Sequence, residues 1–152
     1  MSQTGPELVL ICHLGGVLCG FALATVVETM RPLPKEGLAR APDFVAGLSI
    51  IRGEPVPVVA GYSLVGGKVR EPGRLVVLRC GSRRVAVAVD DVVGIAPIDP
   101  DRLKAMPPLA SRAEDVVARV GARDGELLMI LDAARIVPDD VLALFDAARL
   151  AS

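Results

Sequence analysis

An internal repeat limits the folds open to this chain of 152 residues. A shift of 66 residues carries the apolar segment around Gly15 onto the one around Gly81 without a gap. A shift of 72 residues then carries 44–65 onto 116–137. The aligned pairs include Phe21 with Val87, Val26 with Val92, Val45 with Val117, Gly53 with Gly125 and Glu54 with Glu126. Identities are few and alternating strands match partly by chance, but two gapless matches in the same order predict two similar β units.

Turn residues divide the apolar stretches into hairpins. Gly15-Gly16 separates predicted strands at about 8–14 and 17–23, because paired glycines adopt the positive φ angles of a tight hairpin turn. The run from Arg52 to Pro55 gives a similar signal between 48–51 and 56–59. Hydrophobic residues make up 52% of the chain and aromatic residues only 3%, so a Val, Leu, Ile and Ala core in a mainly β protein is expected.

We therefore predict a single domain, 1–152, made of two small β subdomains at about 8–66 and 74–137. Residues 66–73 are rich in polar and turn-forming side chains and are interpreted as the connector. Each subdomain is too small to bury a full core alone, so the two are expected to share one. A helix is predicted at about 139–149, because acidic residues at its start complement the helix dipole and its apolar residues fall near one face.

Charge and hydropathy exclude several functions. The 17 basic and 18 acidic side chains give a net charge of -1 without a basic block, so the sequence lacks the usual features of nucleic-acid binding. The longest apolar stretch, 17–27, is interrupted by Gly20 and Thr25 and is too short to cross a bilayer, so no membrane insertion is predicted. The N-terminus does not resemble a secretory signal, and the three cysteines form no C-x-x-C unit. A cytoplasmic location is expected.

No catalytic motif is found, and we predict no enzyme activity, no cofactor and no metal site. A second hypothesis is a small-ligand or metal sensor that uses the cleft between the subdomains or the region of Cys12, His13 and Cys19. Against it, neighbouring residues on a strand point to opposite faces, so Cys12 and His13 cannot easily share a metal. The pairs Asp90-Asp91 and Asp139-Asp140 fit turn-forming and helix-capping positions.

Two charges in apolar surroundings are more informative. Glu28 follows Val26-Val27, and Arg52 ends the apolar run 48–51. If those runs are buried, each charge alone is costly and the two are expected to form a pair. Two unrelated surface charges remain the alternative. The repeat places Gly94 and Asp124 at the equivalent positions, so this pair is expected only once in the chain.

Residues 47–59, which read GLSIIRGEPVPVV, resemble the G-V-x-N-L-R-G-x-x-x-P-V signature of CheW-type chemotaxis coupling domains. Other landmarks follow in the family's order over about residues 7–150. They are Val26-x-Glu28, the prolines Pro34 and Pro42, Val89-Asp90-x-Val92, Pro107-Pro108, and the segment 128–136 with Asp132. The motif residues assigned a structural role are Gly47, Val56, Pro57, Asp90 and Asp132.

The resemblance implies two SH3-like five-stranded β-barrels around a common hydrophobic core and a noncatalytic adaptor function. It implies three partners: the cytoplasmic tip of a methyl-accepting chemoreceptor, the regulatory domain of a CheA-type histidine kinase, and other CheW-like domains. The receptor-binding residues it implies are Val26, Glu28, Arg52 and Gly53. Kinase contact is expected at a barrel end of subdomain two, with the equivalent end of subdomain one as a second contact. Recruitment to membrane-associated receptor arrays is expected.

The sequence departs from the family pattern at three places. Ala60-Gly61 stands where Asp-Leu is usual, Ile50 replaces an Asn, and Arg119 replaces a Gly. These differences concern partner choice and are compatible with a divergent member that serves a dedicated pathway.

Overall fold

The computed structural model describes residues 5–37, 41–105, 113–138 and 141–143, and the chain is mainly β, as predicted. The strands are β1 Glu7–Leu14, β2 Val17–Ala22, β3 Val26–Met30, β4 Val45–Ile51, β5 Glu54–Ala60, β6 Arg74–Cys80, β7 Arg83–Val89, β8 Asp91–Ile98, β9 Lys104–Ala105, β10 Val117–Arg123 and β11 Glu126–Leu131. The short helices are α1 Gly61–Leu64, α2 Ala113–Val116 and 3-10 turns at Leu23–Thr25, Pro100–Arg102 and Ala133–Arg135.

The predicted repeat is present in the hydrogen-bonding register. The β4–β5 and β10–β11 hairpins turn through Arg52-Gly53 and Asp124-Gly125, with φ angles of 54° and 80° in the first and 51° and 79° in the second. Each hairpin has a bulge between equivalent residues, at 45–47 and at 117–119. The bulge of β3 against β6 likewise matches the bulge of β8 against β1. The two shifts of 66 and 72 residues therefore describe real structural equivalence.

The sheets divide the chain differently from the predicted halves, 8–66 and 74–137. One sheet has the order β8-β1-β2-β11-β10-β9, and the other has the order β3-β6-β7-β5-β4. We call them the six-stranded and the five-stranded barrel. Each consists of the first hairpin of one repeat and the remaining strands of the other, so the repeats exchange hairpins.

Short connections explain this exchange. If β3 paired with β1, as its equivalent β8 does, β3 would run parallel to β2 and begin about 20 Å from where β2 ends. Only residues 23–25 link β2 to β3, and three residues span at most about 11 Å. Asp90 alone links β7 to β8. Each connection therefore carries the chain across to the other barrel.

Three clusters of buried side chains result. Val9, Ile11, Leu18, Ala96, Leu128 and Ile130 fill the six-stranded barrel. Ile51, Val56, Val58, Leu75, Val77 and Ala86 fill the five-stranded barrel. The largest cluster, which we call the shared core, contains residues of both sheets, among them Leu10, Cys12, Phe21, Val76, Leu78 and Val87. The expectation of a common core is thus met.

Part of the sequence prediction lies outside the described residues. The helix expected at 139–149 is seen only at residues 141–143, which are helical. Val141 is buried in the shared core, with Leu142 packed against it.

Candidate functional site

Glu28 and Arg52 form the predicted ion pair. Arg52 Nη2 donates to Glu28 Oε1 at 2.7 Å, and Arg52 Nε donates to Oε2 at 3.2 Å. Glu28 lies on β3 and Arg52 in the turn that follows β4, and these strands are the two edges of the five-stranded barrel. The bidentate pair therefore links the barrel's edges, and positive φ at Arg52 and Gly53 fixes the turn that presents the guanidinium.

The expectation of buried charges is wrong for Arg52. Its side chain is 70% exposed, whereas that of Glu28 is 22% exposed. The hydrogen bond from Arg52 is the main cause that holds the pKa of Glu28 below its usual value. The pair is a surface feature whose carboxylate is charged at neutral pH, and its role is in presenting charge more than in stabilising the fold.

Val26 lies where the shared core reaches the surface. It is partly buried, packs against that core and pairs with the fully buried Leu78. Its equivalent, Val92, pairs with Cys12 and packs against the same core. The two valines thus occupy matching places at the margin of the shared core.

Sequence reasoning missed an apolar surface beside Val92. Leu8, Val93 and Ile95 are 50%, 55% and 58% exposed. Ile95 pairs with Leu10, which belongs to the shared core, and directly paired residues project from the same face of a sheet. These side chains therefore extend the shared core into solvent. The repeat supplied a signal for it, because it aligned Val26-Val27 with Val92-Val93.

The residues of the 47–59 motif hold the five-stranded barrel together. Val56 is buried in its interior, and Pro57 is buried opposite Leu48. Gly47 has a φ of 151°, and a Cβ there would meet the carbonyl oxygen of Glu36 at 2.3 Å. Its missing side chain lets residues 31–37 cross β4, where Glu36 exchanges backbone hydrogen bonds with Leu48.

The two aspartates of the motif set bind backbone amides. Asp90 accepts hydrogen bonds from Gly15 N at 3.0 Å and Gly16 N at 2.8 Å, which ties the end of β7 to the β1–β2 turn. Asp132 accepts from Ala134 N at 3.0 Å and caps the last 3-10 turn. Both contacts support structural roles.

A second ion pair was not predicted. Arg119 Nη2 lies 3.0 Å from Glu7 Oε2, and it joins β10 to β1 in the six-stranded barrel. Arg119 stands at the position equivalent to Gly47, so one repeat uses an ion pair where the other uses a close backbone crossing.

The geometry does not favour the metal hypothesis. Cys12 and Cys19 face each other across β1 and β2 inside the shared core, while His13 points away and binds Asp91, with Nδ1 and Oδ1 2.7 Å apart. Within the described ranges, no three His, Cys, Asp or Glu side chains are grouped to hold a metal ion.

We expect the three thiols to be unreactive in the native protein. Burial, with the charge of Asp91 as a lesser cause, raises the pKa of Cys12 to about 12, and burial raises that of Cys80 to about 11. Burial also raises the pKa of Cys19. Ellman's reagent at pH 8 should label less than about one thiol within minutes and all three in guanidinium chloride.

The same shifts predict alkaline destabilisation. The thiols ionise more readily in the unfolded chain, near the usual pKa of 9.0. Stability is therefore unaffected by thiol ionisation below about pH 9 and falls as the pH rises from there towards 12. A Cys12→Ala/Cys19→Ala protein should lose less of its free energy of unfolding between pH 8 and 10.5. An equal loss would contradict the assignment.

Comparison with known proteins gives consistent results. The family model of the CheW-like domain matches residues 8–141. The chain is 26% identical over 148 residues to the chemotaxis protein CheW of Klebsiella aerogenes, covering 95% of this chain and 89% of that protein. The crystal structure of the scaffolding protein TtCheW from Thermoanaerobacter tengcongensis matches with a TM-score of 0.79 and 19% identity, covering 90% of this chain and 95% of that one. No helix in the described ranges is long and apolar enough to span a membrane.

Proposed function

The chain belongs to the CheW-like domain family, and from this membership we propose that it is a noncatalytic scaffold in bacterial chemotaxis that couples chemoreceptors to a CheA-type histidine kinase. The family match over 8–141 carries the proposal. Coupling requires that the scaffold makes different contacts with each receptor signalling state, since equal affinity for both states shifts nothing.

The margin of the shared core is the proposed receptor-binding surface. It offers Val26 and Val92 beside the exposed Val93 and Ile95, and apolar side chains at such spacing suit one face of an amphipathic helix. The tip of a chemoreceptor is a helical hairpin by family resemblance. The pair of Arg52 and Glu28 lies on the same strand system as Val26 and would fix the orientation of the bound helices through polar contacts.

The barrels differ in a way that supports docking at β8. Leu8 and Ile95 of the six-stranded barrel correspond to Arg74 and Thr29 of the five-stranded barrel. Because the same fold accepts polar residues at these positions, the exposed apolar side chains are not needed for folding. Exposed apolar clusters of this kind are typical of interaction surfaces.

The kinase regulatory domain is the second proposed partner, with its contact at an end of the six-stranded barrel. Other CheW-like domains are further candidates. This assignment rests on the family resemblance.

Titration with purified partners tests the function. The chain should bind the receptor tip or the kinase regulatory domain encoded beside it, measured by calorimetry or fluorescence anisotropy. Absence of binding to either at about 100 μM, well above the μM range of functional complexes, would reject the proposal.

The ion pair should contribute to receptor binding and little to stability. Arg52→Ala and Glu28→Ala are each expected to weaken receptor binding about five- to tenfold, because charge at an interface margin orients the partner. The double variant should be no weaker than the worse single variant, since the two side chains act as one unit. Arg123→Ala, in the other barrel, is the control and should bind normally. Additive losses in the cycle would contradict the coupling.

A further inference from the structure

A cavity opens at one end of the five-stranded barrel, and no residue of the proposed receptor surface lines it. Its volume is about 250 Å³. Val58 and Leu75 of the barrel interior form part of its wall, and Ala46 and Ala88 leave the space free because their side chains are small. Ala60 and Gly61 complete the small-residue wall. The cavity is therefore an open continuation of the barrel's apolar interior.

The mouth is apolar in an unusual way. Val69 is 78% exposed and Leu33 is 37% exposed, and both line the cavity. Both are among the few large hydrophobic side chains that the described part of the chain exposes. An apolar pocket whose entrance also carries exposed apolar side chains gains most from an occupant that buries pocket and entrance together.

Basic residues surround this entrance. Segments 31–37 and 66–74 carry five basic side chains, Arg31, Lys35, Lys68, Arg70 and Arg74, against the acidic Glu36 and Glu71. Lys35 and Arg70 line the cavity itself. Asp90 also lines it, but its carboxylate is already engaged by the amides of Gly15 and Gly16. The entrance is thus positive in a chain whose net charge is -1.

The volume indicates the size of the occupant. An engineered cavity of about 150 Å³ holds benzene, whereas sites for drug-sized ligands occupy about 300–1,000 Å³. A space of about 250 Å³ suits one large apolar side chain with its neighbouring backbone.

We propose that this cavity binds an acidic segment of a partner protein by inserting one large apolar side chain flanked by carboxylates. That the occupant is a protein segment rests on the proposed scaffolding function. The chemistry of the segment follows from the cavity and its basic entrance alone.

Peptide titration followed by two-dimensional amide NMR tests the proposal. The probe is the blocked pentapeptide Glu-Asp-Phe-Asp-Glu, and the controls replace its Phe with Ala or its acids with Lys. The Phe peptide should give saturable shifts at Ala46, Ala60 and Ala88 with a Kd of about 1 mM or less. The Ala peptide should bind at least about tenfold more weakly, and the Lys peptide several-fold more weakly.

Variants keep the test decisive. Ala88→Leu fills the cavity and should abolish the shifts. Should that variant fail to fold, Lys35→Glu and Val69→Ser at exposed positions should each weaken binding several-fold. Equal binding of the Phe and Ala peptides, shifts that map elsewhere, or stronger binding of octanoate than of the peptide would overturn the proposal. Receptor titration of Val69→Ser should be normal, so failure here is distinguishable from failure of the proposed function.

Discussion

Replacement of Gly47 with alanine is expected to lower the free energy of unfolding by about 3 kcal/mol or more. Two costs add: a φ of 151° is strained for a residue with a side chain, and the new Cβ would meet a backbone oxygen of Glu36 at 2.3 Å. The backbone atom cannot rotate away as a side chain could. In a protein of this size the melting temperature should fall by about 6–12 °C.

Gly81→Ala is the matched control. Gly81 also has a positive φ, of 65°, but a Cβ there would meet nothing within 4 Å. This variant should cost only about 1 kcal/mol, from the backbone alone. Thermal and urea unfolding measured by circular dichroism would compare the two. A similar loss for both would show that residues 31–37 move away from β4 freely, and would contradict the role given to Gly47.

The fold was predictable as far as the repeat reached. The equivalence of Arg52-Gly53 and Asp124-Gly125 was read from residue spacing, and the structure confirms it in turn geometry and register. The hairpin exchange was not predicted, because both arrangements satisfy the same pattern of apolar residues. Connection length decides between them, and the three residues of 23–25 were too few to return β3 to the sheet of β2.

The candidate site shows a similar division. The pairing of Glu28 with Arg52 could be inferred because two charges interrupt apolar runs. Their exposure could not be inferred, because it depends on where β3 and the β4–β5 turn meet at the edges of a barrel. The apolar surface at Leu8 and Ile95 was missed for the same reason: alternation marks both as strand residues, and only the exchanged topology leaves that face of β8 uncovered.

Val26→Asp is expected to have the largest effect on function. Val26 is partly exposed at the margin of the shared core, where a docked helix would bury the rest of its side chain. A carboxylate there would have to be desolvated without a partner on binding. Receptor-tip affinity should fall at least about 30-fold, which corresponds to the loss of a binding hot spot of about 2 kcal/mol.

Because Val26 also contacts the shared core, a stability control is needed. Val17, at the start of β2, is likewise a partly buried valine packed against that core, but it lies beside the Gly15-Gly16 turn, away from the proposed receptor surface. Val17→Asp should lower the melting temperature by a similar amount and leave receptor affinity within about twofold of the parent. Both affinities would be measured well below either melting temperature. Equal losses of binding in the two variants would assign Val26 to the core and remove it from the receptor-binding surface.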